Sequence, residues 1–355
     1  MNCKMTNCLL IPMVLACLLI FGCQNKSDDS TASTNKPSAN QPEEPQSTDI
    51  ATNDPTNDNR AKTREFSFVY GGAITQLPPG TEVSVWLPVA TDTHEQQILD
   101  RDINVPGEFV IGQETRFGNT VLHFKATADD DGEVPFEVTY QVSRREALQE
   151  ECEELAEGDA DLFRQASTFV PIDQKLSAEV LGASKLAKDS LTAGRQIYDA
   201  VNQRMQYDKP DGKPWGRGDS VWACGNGFGN CTDFHSLFIS VCREQHIPAR
   251  FEIGFPLPTE RGTGSIGGYH CWAKFAADNK WIPVDISEAD KNPSLNDYYY
   301  GNLTADRITF TTGRDLTLTP AQQDAPVNFL VYPYTEVAGK MHSVFRKGFT
   351  YQDIQ

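Results

Sequence analysis

The sequence predicts an α+β protein in which a small β-sandwich precedes a helix that begins at a cysteine and packs on an antiparallel β-sheet. Two observations support this prediction. Between residues 64 and 145, apolar and polar positions alternate in short runs, as at Phe66, Phe68 and Tyr70, and turn sequences separate the runs. From about residue 190, apolar residues recur at threes and fours, which is typical of helices, before alternation returns.

The sandwich prediction rests on turn signals at regular spacing, such as Pro106-Gly107 and Asp131-Gly132. The acidic run from Asp129 to Glu133 is interpreted as a hairpin turn, because it lacks the full ligand spacing of a calcium loop. We expect a charged helix next, from Arg145 to Glu157, and a second one from Ser190 to Tyr207.

A loop rich in glycine and asparagine precedes Cys231, and an apolar run with helical spacing follows it. Leu237, Phe238 and Val241 would form the buried face of that helix. Cys231 then lies at a helix N-terminus, where unpaired backbone N–H groups and the helix dipole favour a thiolate. We interpret this sulfur as a nucleophile that needs a base.

A hairpin further along the chain supplies a base and an acid. Strands of residues 268–275 and 280–285 flank a turn, with His270 on the first and Asp285 at the end of the second. A loop at Ala277-Asp278 would place His270 directly opposite Asp285. A loop at Asp278-Asn279 would instead place Asp285 opposite Trp272, diagonal to His270 and on the same face. Either register leaves a carboxylate near the imidazole.

Cys231, His270 and Asp285 together suit nucleophilic attack on an amide. The imidazole keeps the sulfur ionised and protonates the leaving amine, while the carboxylate orients the ring and stabilises its cation. The backbone N–H of Cys231 is one expected oxyanion donor. Tyr207 and Trp222 are candidates for a second donor, but either side chain could equally belong to the core.

The sequence resembles the core of the bacterial transglutaminase-like superfamily over about residues 190–290. Four motifs carry this resemblance: Gly229-Asn230-Cys231-Thr232-Asp233-Phe234, Ile247-Pro248-Ala249-Arg250, Tyr269-His270-Cys271-Trp272 and Trp281-Ile282-Pro283-Val284-Asp285. His246 stands where the family often has a glycine. The resemblance implies a papain-like core, with Cys231 as nucleophile, His270 as base and Asp285 as orienting acid. Members of the superfamily include amide-crosslinking enzymes, cysteine peptidases and inactive relatives.

The N-terminus has the pattern of an export signal. Lys4 precedes an apolar stretch from Leu9 to Phe21 that is too short for a comfortable membrane span. Ile20-Phe21-Gly22-Cys23 resembles the lipobox of bacterial lipoproteins, which predicts lipidation of Cys23; Val14-Leu15-Ala16-Cys17 fits less well. The polar segment that follows cannot bury enough apolar surface to fold. We therefore expect an extracytoplasmic, lipid-anchored protein of the cell envelope, in the periplasm or at the cell surface.

Charge and cysteine content limit the remaining possibilities. The net charge of −18 argues against nucleic acid as a partner. Once the signal and Cys23 are set aside, an odd number of cysteines remains, which indicates a free thiol at Cys231 and leaves any pairing of the others open. The remaining four are Cys152, Cys224, Cys242 and Cys271.

No metal or cofactor is predicted. His235 would share a helix face with Cys231, which could suggest a metal site, but the neighbouring cysteines lack a familiar zinc spacing. Glu288, Asp290 and Asp297 are interpreted as a solvated acidic loop rather than a calcium site.

The predicted organisation has four parts, namely a signal peptide at 1–22, an anchored disordered linker at 23–63, a β-sandwich at 64–145 and a transglutaminase-like domain at 146–355. The predicted activity is cysteine-dependent acyl transfer on peptide or protein amides, with hydrolysis favoured over crosslinking. The alternative is an inactive scaffold that binds peptide in the same cleft. The catalytic interpretation needs the ring within reach of the sulfur and a sulfur that a substrate can reach.

Overall fold

The structure is a computed structural model that describes residues 61–354. The predicted signal peptide, Cys23 and nearly all of the predicted linker lie outside the described residues. Within the described residues, no helix is both long enough and apolar enough to cross a membrane.

The N-terminal part forms six strands that divide between two antiparallel sheets. β1, β6 and β3 are neighbours in one sheet, while β2, β5 and β4 are neighbours in the other. Inward-facing residues such as Phe68 and Val85 are fully buried and belong to one core. The predicted alternation is therefore confirmed. The strands are β1 (Thr63–Ile74), β2 (Glu82–Pro88), β3 (Gln96–Asn104), β4 (Phe109–Gln113), β5 (Thr120–Thr127) and β6 (Val134–Arg145).

The middle of the chain holds most of the helices. The helix predicted from residue 190 is confirmed as α3, and the cysteine helix is confirmed as α5. The elements in order are a 3-10 turn (Gln149–Glu151), α1 (Asp159–Leu162), α2 (Gln174–Leu181), α3 (Ser190–Arg204), β7 (Gln206–Tyr207), α4 (Ser220–Asn226), β8 (Phe228–Gly229), α5 (Cys231–Glu244), β9 (Ala249–Pro256), β10 (Thr263–Ser265), β11 (His270–Ala277), β12 (Lys280–Val284), α6 (Ile286–Lys291) and a second 3-10 turn (Pro293–Leu295).

The last strands complete sheets that begin far earlier in the chain. β13 pairs with β9, giving a four-stranded antiparallel sheet in the order β12-β11-β9-β13. β17 pairs with β1, and β14 pairs with β2, so both sandwich sheets contain strands from either side of residue 145. The division of the chain at that residue stays a prediction. These strands are β13 (Arg307–Thr312), β14 (Tyr334–Val337), β15 (Lys340–Met341), β16 (Phe345–Lys347) and β17 (Thr350–Asp353).

The charged helix predicted from Arg145 to Glu157 is wrong. Strand β6 continues to Arg145, and only the short 3-10 turn follows. Ala147 instead exchanges backbone hydrogen bonds with Leu303 at 2.9 and 3.0 Å, and the carbonyl of Glu153 accepts the N–H of Trp281 at 2.8 Å. Because distant segments of the chain use these backbone groups, the groups are not available for helical hydrogen bonds.

Helices α3 and α5 pack against the four-stranded sheet and fix the position of the cysteine. The rings of Phe238 on α5 and Phe275 on β11 lie 5.8 Å apart. Gly194 allows α3 to approach the same strand, since a Cβ atom there would lie 2.3 Å from the Phe275 ring. The N-terminus of α5 is thereby held beside the beginning of β11, where His270 lies.

Candidate active site

Cys231 is the first residue of α5, as predicted, and Asn230 caps the helix. The Asn230 side chain accepts the N–H of Thr232 at 2.9 Å, while Asp233 Oδ2 accepts the N–H of Asn230 at 3.1 Å, so the two side chains form a capping box. Cys231 therefore lies at the positive end of the helix dipole, where a negative charge is stabilised.

Asp233 also fixes the loop that precedes α4. Its two carboxylate oxygens accept the N–H groups of Gly216 and Gly218, both at 2.9 Å. Burial raises the pKa of Asp233 to about 6, despite the backbone hydrogen bonds that favour its ionised form. Gly229 is needed here because a Cβ atom would lie 2.5 Å from the Cβ of Asp233.

The hairpin adopts the second of the two predicted registers. Ala277 pairs with Lys280, so the loop is Asp278-Asn279, and both loop residues have positive φ. The pairing of Ala273 with Val284 places Asp285 just beyond the paired strand, at the position opposite Trp272. His270 is diagonal to Asp285, which brings the ring and the carboxylate together.

His270 and Asp285 form a buried hydrogen bond. Nε2 of His270 lies 2.8 Å from Oδ2 of Asp285. Burial alone would favour the neutral ring, but the charge and the hydrogen bond of Asp285 outweigh it and raise the pKa of His270 to about 10. Burial would likewise raise the pKa of Asp285, yet the charges of His270 and Arg307 keep it below its usual value.

Asp285 occupies a fixed position because it also begins α6. Its Oδ1 accepts the N–H of Glu288 at 3.3 Å and the hydroxyl of Ser287 at 3.2 Å, which makes it the helix N-cap. Its own N–H donates to the carbonyl of Tyr299 at 3.0 Å. The orienting acid is thus held by both its backbone and its side chain.

Arg307 is a member of the site that sequence reasoning missed. Its Nη1 donates to Oδ2 of Asp285 at 3.1 Å, and its guanidinium lies 4.7 Å from the centre of the Trp272 ring. The side chain is almost fully buried. Arg307 is the first residue of β13 and belongs to no recognisable sequence motif. Its contact with Asp285 becomes apparent only when β13 pairs with β9.

The thiol of Cys231 hydrogen-bonds the His270 side chain. Nε2 of the same ring is bonded to Asp285. The structure thus brings together all three predicted catalytic residues. The second requirement, an accessible sulfur, is not met: the exposed fraction is 0% for Cys231, 3% for His270 and 0% for Asp285. A substrate can reach the sulfur only after its surroundings move.

The candidate second oxyanion donors lie on the elements around the cysteine loop. Tyr207 on β7 pairs with Gly229, two residues before Cys231, and its ring stacks on that of Phe234 at 6.4 Å. Trp222 on α4 packs edge-on against Phe228 at 5.4 Å. Both side chains therefore take part in packing.

No metal site appears among residues 61–354. That part of the chain contains no group of three or more histidine, cysteine and acidic residues that could hold an ion. The acidic residues considered as a calcium site have separate partners: Glu288 pairs with Lys291 at 2.9 Å, Asp290 accepts the N–H of Tyr207, and Asp297 pairs with Arg195.

None of the five cysteines among residues 61–354 forms a disulfide, and all five are buried. The pairings that the sequence left open are therefore not formed in this structure. Burial raises the pKa of Cys152 to about 11, so this thiol is unlike a helix-start thiolate.

Comparison with known proteins identifies the domain that holds these residues. Residues 176–286 match the family model described as the transglutaminase-like superfamily. This range includes Cys231, His270 and Asp285, so the chain contains a transglutaminase-like domain.

One sequence relative and two solved structures illustrate the similarity. A Haemophilus influenzae protein of uncharacterised function is 32% identical over 181 aligned positions, covering 39% of this chain and 49% of the relative. The chain thus spans about half the length of that curated relative. A candidate cysteine protease from Cytophaga hutchinsonii shares the fold, with a TM-score of 0.52, 17% identity, and coverage of 83% of this chain and 99% of that one. Red sea bream transglutaminase gives a TM-score of 0.27 at 15% identity, covering 61% of this chain and 48% of its own, which is too distant for an argument.

The transglutaminase-like fold predicted from the sequence is therefore confirmed. It combines helices with antiparallel sheets, and the cysteine helix lies against β11, as a papain-like core requires.

Proposed function

We propose that the protein is a cysteine-dependent acyl-transfer enzyme that cleaves peptide or side-chain amides through a thioester on Cys231. The observation that carries the proposal is the imidazole of His270, which hydrogen-bonds both the Cys231 thiol and the Asp285 carboxylate. This arrangement suits transfer of the thiol proton to the ring, which leaves a thiolate beside an imidazolium.

In the acylation step, the thiolate attacks the amide carbonyl carbon and a C–S bond forms. The backbone N–H of Cys231, at the start of α5, is the donor that we assign to the oxygen that becomes negative. The C–N bond then breaks, and the His270 imidazolium gives its proton to the departing nitrogen. Asp285, already ionised, keeps the ring oriented throughout.

In the deacylation step, neutral His270 takes a proton from water, whose oxygen attacks the thioester. The C–S bond breaks, the acid leaves, and the proton restores the thiol–imidazole pair. A primary amine in place of water would give a new amide instead. We favour water, since no described feature marks a tunnel for an amine.

The second candidate is an inactive scaffold that binds peptide, and the full burial of Cys231 is the observation that favours it. The two proposals differ in whether the protein converts a peptide into a product. Native protein and Cys231→Ser would be incubated with a mixture of unstructured peptides, with and without a primary amine, and the product masses compared. Cleavage by the native protein alone supports the enzyme; binding of peptides by both proteins without any product supports the scaffold.

We also propose that lipid on Cys23 anchors the protein on the extracytoplasmic side of a membrane. The lipobox-like sequence and the polar segment after it support this. Labelled fatty acid should be incorporated by the native chain and by Cys17→Ser, and Cys23→Ser should lose it. Incorporation that persists in Cys23→Ser would refute the assignment.

A further inference from the structure

His235 is a second buried histidine beside the triad, and the proposed acyl transfer gives it no step. It lies one turn after Cys231 on α5 and is completely buried. Its Nε2 accepts the backbone N–H of Ile286 at 3.1 Å. Its Nδ1 lies 3.6 Å from Sγ of Cys271, and the backbone of Cys231 also hydrogen-bonds the ring.

These contacts connect the three elements that carry the catalytic residues. Cys231 is on the same helix as His235, Cys271 follows His270 on β11, and Ile286 follows Asp285 at the start of α6. A single side chain therefore spans the positions where the nucleophile, the base and the acid are held.

The hydrogen bond from the Ile286 N–H defines the protonation state of the His235 ring. An N–H donor requires an unprotonated acceptor, so Nε2 carries no proton and the neutral ring has its proton on Nδ1. Burial, which lowers the pKa of His235 to about 4, agrees with this state. The titratable and charged groups that face the ring come from four elements and are Cys231, His270, Cys271, Asp285 and Arg307.

We propose that His235 is a positioning residue whose Nε2 holds the first turn of α6, and with it Asp285, in register with the cysteine helix. The Ile286 N–H is buried, so without this acceptor it would have to move to find another partner. Asp285 directly precedes Ile286, and its Oδ1 lies 3.8 Å from Nε2 of His235, so a shift of the Ile286 backbone would also displace the carboxylate that His270 binds. This inference rests on the proposed function.

His235 does not act as a proton carrier in this arrangement. Its Nε2 is occupied by a backbone N–H, and its Nδ1 faces the backbone of Cys231 and the sulfur of Cys271 rather than the nucleophilic sulfur. A metal role is not supported either, because no group of three or more histidine, cysteine and acidic residues among residues 61–354 is arranged to hold an ion.

Two substitutions separate hydrogen bonding from packing. His235→Gln places an amide oxygen near the position of Nε2 and can accept the Ile286 N–H. His235→Leu fills a similar volume but cannot accept it. His235→Asn is polar but too short to reach Ile286, and it supplies a second variant without the acceptor should the leucine variant not fold.

The experiment has two readouts. The first is the ultraviolet absorbance of the Cys231 thiolate as pH is varied, with Cys231→Ser as the blank. The second is the rate of peptide turnover. The native protein and His235→Gln should show the same thiolate titration and turnover within about threefold. His235→Leu or His235→Asn should lose about ten- to a hundredfold in kcat with little change in KM, and its thiolate should form at higher pH.

The outcomes distinguish this inference from the proposed function. If the native protein forms no thiolate below the pH expected of a free cysteine, both fail together. If the native protein behaves as an enzyme while the leucine variant matches it, or the glutamine variant is impaired as severely as the leucine variant, only the positioning role of His235 is overturned.

Discussion

Nε2 of His270 lies 2.8 Å from Oδ2 of Asp285, and both side chains are buried. Arg307 donates to the same oxygen at 3.1 Å. The carboxylate is therefore shared between a ring whose charge changes during the reaction and a guanidinium whose charge does not. The cation of Arg307 limits how strongly Asp285 can hold the imidazolium, which keeps the ring able to release its proton.

Replacing Asp285 should lower the proton affinity of His270. In Asp285→Asn, the pKa of His270 should fall towards its ordinary value because the charge that raises it is lost. The alkaline limit of peptide turnover should move to lower pH, and kcat at neutral pH should fall by at least about a hundredfold. Asp297→Asn, whose side chain is 89% exposed, is the matched control. An unchanged alkaline limit in Asp285→Asn would contradict this role.

Removing the charge of Arg307 should shift the alkaline limit of the pH profile upwards. In Arg307→Gln, the His270 imidazolium is stabilised more by Asp285, because the guanidinium that shares this carboxylate is gone. The alkaline midpoint of the rate profile should rise by roughly one pH unit, and Arg307→Lys should restore part of the native value. Arg346→Gln, at an exposed ion pair, serves as control. An alkaline limit that stays in place in Arg307→Gln would show that the charge of Arg307 does not act on His270.

The stability of the protein should depend on the protonation of His270. The pKa of this ring rises from 6.5 to about 10 on folding. A raised pKa means that the stabilisation is complete below the unfolded value and is lost as pH rises through the folded one. Thermal unfolding should therefore show native protein losing stability between about pH 7 and pH 10 more steeply than His270→Gln. Parallel curves for the two proteins would disprove the linkage.

Two glycines near the cysteine should respond differently to alanine. A Cβ at Gly229 would lie 2.5 Å from Asp233, whereas a Cβ at Gly225 would meet nothing within 4 Å. Gly229→Ala should cost about 1–3 kcal/mol in the free energy of unfolding. Gly225→Ala, within α4, should be neutral or stabilising by up to about 1 kcal/mol. Urea unfolding measures both, and equal effects would refute the proposed close contact.

The sequence was sufficient to predict the catalytic elements because their signals are local. A glycine-rich loop before an apolar helical run identifies the start of α5, and alternation with a short turn identifies the hairpin. The register remained open between two choices, and it is decided by Asp278 and Asn279, whose positive φ values give a two-residue turn.

The parts that the sequence did not predict depend on distant contacts. The sequence around Ala147 has the apolar spacing of a helix. The backbone of Ala147 nevertheless pairs with Leu303, and this contact overrides the local preference. Arg307 and His235 carry no motif, because their roles exist only once β13 pairs with β9 and α6 lies beside α5. The burial of the Cys231 sulfur is a further property of packing that the sequence did not indicate.

The most direct test of the account measures the ionisation of Cys231. The pH at which its thiolate forms would be followed by ultraviolet absorbance in native protein and in His270→Ala, with Cys231→Ser as the blank, so that access to the buried sulfur does not matter. The account predicts a thiolate in the native protein well below the pKa of about 8.5 of an ordinary cysteine, and its loss in His270→Ala. Titration of both proteins like an ordinary buried thiol would contradict it.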